Sequence, residues 1–320
     1  MVATNLTAFG RAARLAGAAA AIAAGVSTSA LAQGFPTRPI EMIVTWGPGG
    51  GADVTGRIIA RLIEPELKVS IPVENVAGAT GVTGLMKLIN GQAEGYQVAI
   101  VTADSYGLLA QPGQRWTMKD VIPVAVLTQQ RSGYFVKEDS PFKTWADVEK
   151  AAAANPLKVA LTGLGSPEDV ATATIAKRKN LKFTSVPYAK PGERYAALLG
   201  GHADLLYEQA GDVKSFIEGK QLRPILFLAK ERTAPFEKIE TSKDVGLDLV
   251  VDQFRTLTMK AGTPPDRVKM LSDKIAKAAA SDEYKKYLVD QWMDTKSVLL
   301  GDAAVAYIAR EIEALAKLMK

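Results

Sequence analysis

The segment Gly47-Pro48-Gly49-Gly50-Gly51-Ala52-Asp53 has the make-up of a turn that touches a ligand. Glycines let a backbone come close to a bound group and aim its amides at it. A helix opening on such a turn adds free N–H donors and a partial positive charge, which suits an anion. A tight turn that only needed positive φ would use fewer glycines. Two other segments share this character: Gly78-Ala79-Thr80-Gly81 and Thr162-Gly163-Leu164-Gly165-Ser166. Ser166 with Asp169 also fits a helix cap. Thr102-Ala103-Asp104-Ser105 follows a strand and belongs to the same rim. Backbone amides and hydroxyls arranged this way would hold a carboxylate. Tyr188 and Tyr207 can stack on a ligand or donate a hydrogen bond. Glu208 is odd beside an anion, and three roles are open to it: a ligand amino group, Arg255, or water.

A dinucleotide site is the sharp competitor. Gly47-x-Gly49-x-x-Ala52 fits G-x-G-x-x-A, and Glu74 falls roughly 20 residues later, where a ribose-binding acid belongs. Pro48 and the extra glycine alter that turn. Elsewhere the chain offers no catalytic set. It has no cysteine, which excludes thiolate nucleophiles, disulfides and Cys-based metal sites. Its one histidine, His202, lies in a Gly-Gly-His-Ala turn, and no G-x-S-x-G accompanies it. No paired carboxylates, metal-ligand spacing or P-loop is present. The expectation is a binding protein with no catalytic residue, metal or cofactor.

Such turns need strands and helices to position them. Residues 40–46 read as a buried strand, and Asp53 caps a helix with Val54, Ile58, Ile59, Leu62 and Ile63 on one face and Pro65 at its end. Strands at 71–74 and 98–101 flank a helix running to about residue 89. The pattern recurs: strands at 157–161, 183–186, 204–207 and 225–228, with helices from Ser166-Pro167, near 193–199 and near 213–218. This βαβ order predicts an α/β fold with two lobes, each a mostly parallel sheet flanked by helices. β-rich segments at 121–136 and 249–259 separate these units, and a set of helices ends the chain. The predicted organisation is a first domain at 33–130, a second at 131–252, and a return to the first at 253–320. Two crossovers make a hinge with a cleft between the lobes.

The first 32 residues predict an export signal. Arg11 and Arg14 precede an apolar run at 15–26 that is too short to span a bilayer, and Ala30-Leu31-Ala32 offers cleavage before Gln33. Export also weighs against a soluble nicotinamide cofactor. The chain has 39 basic and 34 acidic residues with no basic stripe, so nucleic acid is not an expected partner.

The residues resemble those of the tripartite tricarboxylate transporter receptors, or Bug proteins. The likeness runs through Phe35-Pro36-Thr37-Arg38-Pro39-Ile40, the turn from Pro48 to Asp53, Arg57, Val73-Glu74-Asn75, and Gly78 with Gly81. It continues through Gly95-Tyr96, Gly163, Gly165, Ser166, Val186-Pro187-Tyr188, Leu198-Leu199-Gly200-Gly201 with Asp204, and Ala261-Gly262-Thr263-Pro264. It implies a two-lobed periplasmic binding fold of type II kind. Such a fold closes on a small organic acid and delivers it, as a monomer, to membrane transporter subunits. It puts Pro48, Gly49, Gly50, Asp53, Gly163, Gly165, Ser166 and Tyr188 in the site. Val76-Ala77-Gly78, Ala189-Lys190-Pro191-Gly192, Pro167-Glu168-Asp169 and Tyr207-Glu208 depart from the family pattern around the pocket. A sensor-kinase partner is the alternative to a transporter, and an exported NAD-type or hydrolytic enzyme is the alternative to a receptor.

Overall fold

The structure is a computed structural model that describes residues 34–320; the expected leader lies outside them. Residues 34–37 have no regular secondary structure, and the compact unit is Arg38–Lys320. Its principal elements are β1 (Glu41–Val44), α1 (Gly51–Leu67), β2 (Val73–Asn75), α2 (Val82–Asn90), β3 (Gln97–Thr102), α3 (Ala103–Gly107), β4 (Val121–Lys137), α4 (Trp145–Ala154), β5 (Leu157–Leu161), α5 (Pro167–Lys179), β6 (Phe183–Pro187), α6 (Pro191–Leu199), β7 (Leu205–Gln209), α7 (Lys214–Glu218), β8 (Leu222–Phe227), β9 (Asp252–Lys260), α8 (Pro265–Ala280), α9 (Asp282–Asp290), β10 (Leu299–Leu300) and α10 (Gly301–Leu318).

The strands follow the order β2-β1-β3-β9-β4-β7-β5-β6, with β8 and β10 also on β4. Pairing is parallel within β2-β1-β3 and within β6-β5-β7. It is antiparallel wherever β9 or β4 takes part. The sheet is therefore mixed rather than mostly parallel, because β4 and β9 run in opposite directions where they pair. β4 changes partners part-way along. Val121 to Arg131 pair with β9, whereas Ser132 to Lys137 pair with β7 and β8. This switch defines two lobes, one on β1–β3 and β9, the other on β5–β8.

Each lobe has its own core. Met42, Ile43 and Val44 of β1 are all inaccessible, as expected of a parallel strand covered on both faces. Lobe one packs Ile43, Val101, Tyr106, Trp116, Phe254 and Ile308 together. In lobe two, strand alternation sends Tyr134 and Val136 to one face and Phe135 to the other. Two expectations for α1 are corrected. Its N-cap is Gly50, with Asp53 inside the first turn, and Val54 is exposed. The helix also passes Pro65 and ends at Leu67, since a proline this late breaks only a bond of the final turn. No helix among the described residues is long and apolar enough to cross a membrane.

Candidate functional site

The lobes meet over the carboxyl ends of their parallel strands, and a buried polar network joins them. Trp46 Nε1 donates to Thr102 Oγ1 (2.9 Å), which donates to Asp104 Oδ2 (2.8 Å). Gln253 Nε2, from β9, donates to the same oxygen at 2.8 Å. From lobe two, Thr162 Oγ1 lies 3.1 Å from Asp104 Oδ1 and 2.9 Å from Glu168 Oε2. A hydroxyl carries one proton, so Thr162 satisfies one carboxylate at a time. Burial drives the Glu168 carboxyl well above its ordinary range, and the negative charge of Asp104 adds to this. Burial also raises Asp104, against the hydrogen bonds from Thr102, Gln253 and Thr162. A proton on Glu168 resolves the conflict: Glu168 donates to Thr162, and Thr162 donates to Asp104.

Two buried ion pairs flank this network. Arg194 on α6 gives Nε (3.1 Å) and Nη2 (2.5 Å) to Glu208 Oε2, and Nη1 (2.9 Å) to the Tyr188 carbonyl. Glu208 is thus neither paired with Arg255 nor turned to water. Arg255 on β9 instead donates Nη2 to Asp212, which follows β7. Its Nε and Nη1 are buried with no protein partner. Burial lifts the Asp212 carboxyl to about 6 despite the opposing charge of Arg255.

The first glycine turn lies against this machinery. A Cβ on Gly51 would stand 2.1 Å from Arg255 Nη2 and 2.3 Å from Asp212 Oδ1, and one on Gly50 would stand 2.5 Å from Pro191 Cγ. These glycines are small because lobe two and Arg255 pack onto the start of α1. Gly163 likewise meets Thr80 across the cleft, where a Cβ would fall 2.3 Å from Oγ1. Gln111 Nε2 bonds the Gly165 carbonyl at 2.8 Å. The lobes are closed, and the space between them is a cavity of about 30 Å³. An outer groove of about 270 Å³ shares Gly51 and Asp212 with it. A larger cavity, about 630 Å³, lies elsewhere, where β4 switches partners beside Phe236 and Trp292, and holds none of the sequence-predicted site residues.

Of those residues, Gly50, Gly51, Thr102, Asp104, Thr162 and Glu208 line the cleft cavity, and Gly49 lines the outer groove. Pro48 is exposed at the tip of the turn. Asp53 points back, accepting from Gly49 N–H (3.0 Å), Arg57 Nε (3.0 Å) and Asn75 Nδ2 (3.0 Å). Burial raises its carboxyl, but these bonds outweigh burial and leave it lowered. Ser105 Oγ donates to the Thr80 carbonyl at 3.0 Å and so clamps the second turn. Ser166 caps α5, accepting from Asp169 N–H, and Asp169 in turn accepts from Gly165 N–H. Tyr188 contributes its carbonyl to Arg194. Tyr207 is core, its ring edge-on to Tyr134 at 5.1 Å. Adjacent strand residues face opposite sides, so Tyr207 and Glu208 could not both face the cleft. The residues that would carry a dinucleotide are otherwise engaged: Glu74 receives Lys87 Nζ at 2.6 Å, and Gly50 and Gly51 are covered by Pro191, Arg255 and Asp212. Sequence reasoning missed Arg194, Asp212 and Gln253. For Arg255 and Gln253 the signal was available, since polar side chains stand in an otherwise apolar strand.

The raised carboxyls set a pH dependence. Asp212 and Asp252 are both lifted to about 6, by burial first, and burial also holds Glu168 well above its ordinary range. Unfolded carboxyls titrate near 4, so the folded protein holds extra protons between about 4 and 6. The stability these groups contribute is fully present below about 4 and lost as pH rises through the folded values. Thermal unfolding at pH 5.5 is therefore expected a few degrees above that at pH 7.5. Glu168→Gln, which imitates the protonated acid, should flatten that difference. An unchanged slope would remove Glu168 from the account.

Two lobes closing over a buried polar cleft, each on a β-sheet whose strand ends face the other, define a solute-binding protein. Residues 56–313 match the family model of the tripartite tricarboxylate transporter family receptor, and the chain belongs to that family. BugT of Bordetella pertussis is 27% identical over 297 residues, covering 91% of each chain. A TctC solute-binding protein from Polaromonas, solved with no ligand, is 30% identical with a TM-score of 0.64, covering 89% of this chain and 99% of that one. MatC of Rhodopseudomonas palustris, solved with bound malate, is 21% identical with a TM-score of 0.80, covering 89% of this chain and all (100%) of the other. The chain is a receptor and not an enzyme.

Proposed function

We propose that this receptor works in the periplasm, captures a small organic acid between its lobes, and delivers it as a monomer to a membrane transporter of the tripartite tricarboxylate type. The observation that carries the ligand reading is Arg255. It is a buried guanidinium at the start of α1 that lines the cleft and has two nitrogens without a partner. A carboxylate is the group that would take such cationic donors. The malate held by MatC, a protein of the same fold, supports an acid as the ligand class. The export signal expected from the sequence of residues 1–32, with cleavage expected after Ala32, supports the compartment. In this reading residues 33–130 and 253–320 form one domain and residues 131–252 the other. The hinge lies where β4 changes partners, and ligand shifts an open–closed equilibrium by touching both lobes.

The test is a thermal-shift screen of residues 33–320 against carboxylates, aromatic acids, amino acids and dinucleotides. A hundred-fold excess over Kd should add about 2.7 kcal/mol of stability. A shift with NAD and none with any organic acid would defeat the receptor reading. Gly50→Val should abolish acid binding while the circular dichroism spectrum stays native. The added side chain pushes Pro191 away and holds the lobes apart. Unchanged affinity in that variant would take the first glycine turn out of the site.

A further inference from the structure

The cleft carries more acid than base. Asp104, Glu208 and Asp212 line it against Arg194 and Arg255, and Glu168 stands directly behind Thr162. Two of the acids have cationic partners: Glu208 takes Arg194, and Asp212 takes Arg255. The other two do not. Asp104, 1% exposed, accepts only from the neutral donors Thr102, Gln253 and Thr162. Glu168, 2% exposed, accepts the Thr162 N–H on Oε2 at 2.7 Å and has Oε1 without any partner. In the wall of the same cavity Arg255 has its two unpartnered nitrogens. The cavity therefore has unused cationic donors in Arg255 and, in Asp104, a buried carboxyl group with no cationic partner.

A ligand's charge must suit both groups. One carboxylate suits Arg255. A second would face Asp104 and add like charge to a buried cluster that already has too much of it. An ammonium group brings three donors and the missing positive charge. We propose that the cleft selects an amino-bearing monocarboxylate, with its carboxylate on an unpartnered Arg255 donor and its ammonium on Asp104. This rests on the receptor reading of the same cleft and names the ligand class within it. The closed cavity of about 30 Å³ has room for two or three waters, at roughly 10–15 Å³ each. The occupied form therefore holds the lobes further apart, and a longer side chain extends into the outer groove past Gly51 and Asp212.

Matched acids that differ only in the amino group test this. Calorimetric titration of residues 33–320 would compare alanine with propionate, leucine with 4-methylpentanoate, and phenylalanine with 3-phenylpropionate, with malate alongside. At least one amino acid should bind, and bind ten-fold or more tighter than its des-amino partner. N-acetylation of that amino acid removes the ammonium charge and should abolish the preference. This control acts on the ligand, so it does not depend on any variant folding. Asp104→Asn should then reduce the preference to about three-fold or less. Des-amino acids or malate binding as tightly as the amino acids would overturn the proposal and leave the receptor reading standing. No binding by any acid, amino-bearing or not, would overturn both.

Discussion

Arg194→Ala is expected to cost about 3–5 kcal/mol of folding stability, the range found when one partner of a buried ion pair is removed. The Arg194 and Glu208 side chains are 4% and 2% exposed. Without the guanidinium, Glu208 keeps only the Gln209 N–H on Oε1, at 3.2 Å, while its charge stays buried beside Asp212 and Glu168. The Tyr188 carbonyl loses its donor as well. Urea unfolding followed by tryptophan fluorescence would measure the loss. The double variant Arg194→Met with Glu208→Leu should recover most of it, because the penalty lies in the stranded charge more than in the lost attraction. A double variant as unstable as the single one would mean that Arg194 acts through packing alone. Arg38 with Glu94 makes a useful contrast. That pair is 57% and 54% exposed, and breaking it should change stability by no more than about 1 kcal/mol.

Much of the fold was legible because hydrophobic period and turn chemistry agree along the chain. β5 falls at residues 157–161 as its apolar run requires, and Ser166-Pro167 opens α5 where a cap followed by a first-turn proline should. The short helix α4 was not anticipated, although Thr144 and Asp147 form a reciprocal cap around Trp145. Its alanines carry little periodic signal. Strand direction was not legible either. An apolar run such as residues 121–136 reads the same in parallel and antiparallel pairing, and only the long-range register shows that β4 serves both lobes. For the site, the glycine turns pointed to the cleft, but their reason was partly misjudged. Gly50 and Gly51 are small because Pro191, Arg255 and Asp212 pack onto them. Those three residues lie more than a hundred positions away in sequence, where no local pattern ties them to the turn.

Arg255→Met should abolish acid binding, at least a hundred-fold, and destabilise the protein by about 3 kcal/mol at pH 7.5. Two separate effects are involved. Binding is lost because Nε and Nη1 are the cleft's unspent cationic donors. Stability is lost because Asp212 is left buried without its cation, which pushes its carboxyl further above its present value of about 6. The second effect has a sign that can be checked. A carboxyl raised in the folded state stabilises below its unfolded value and loses that contribution as pH rises, so lowering the pH lets Asp212 take a proton and shed its penalty. The destabilisation by Arg255→Met should therefore shrink between pH 7.5 and pH 5.5, while the binding defect persists at both. Arg255→Lys separates the two effects differently. A lysine keeps the charge for Asp212 but presents no planar fork, so it should retain most of the stability and still bind acids weakly. If Arg255→Met bound organic acids with native affinity, the carboxylate would have to be held by backbone amides of the glycine turns alone. The guanidinium would then serve only to neutralise Asp212 where the lobes meet.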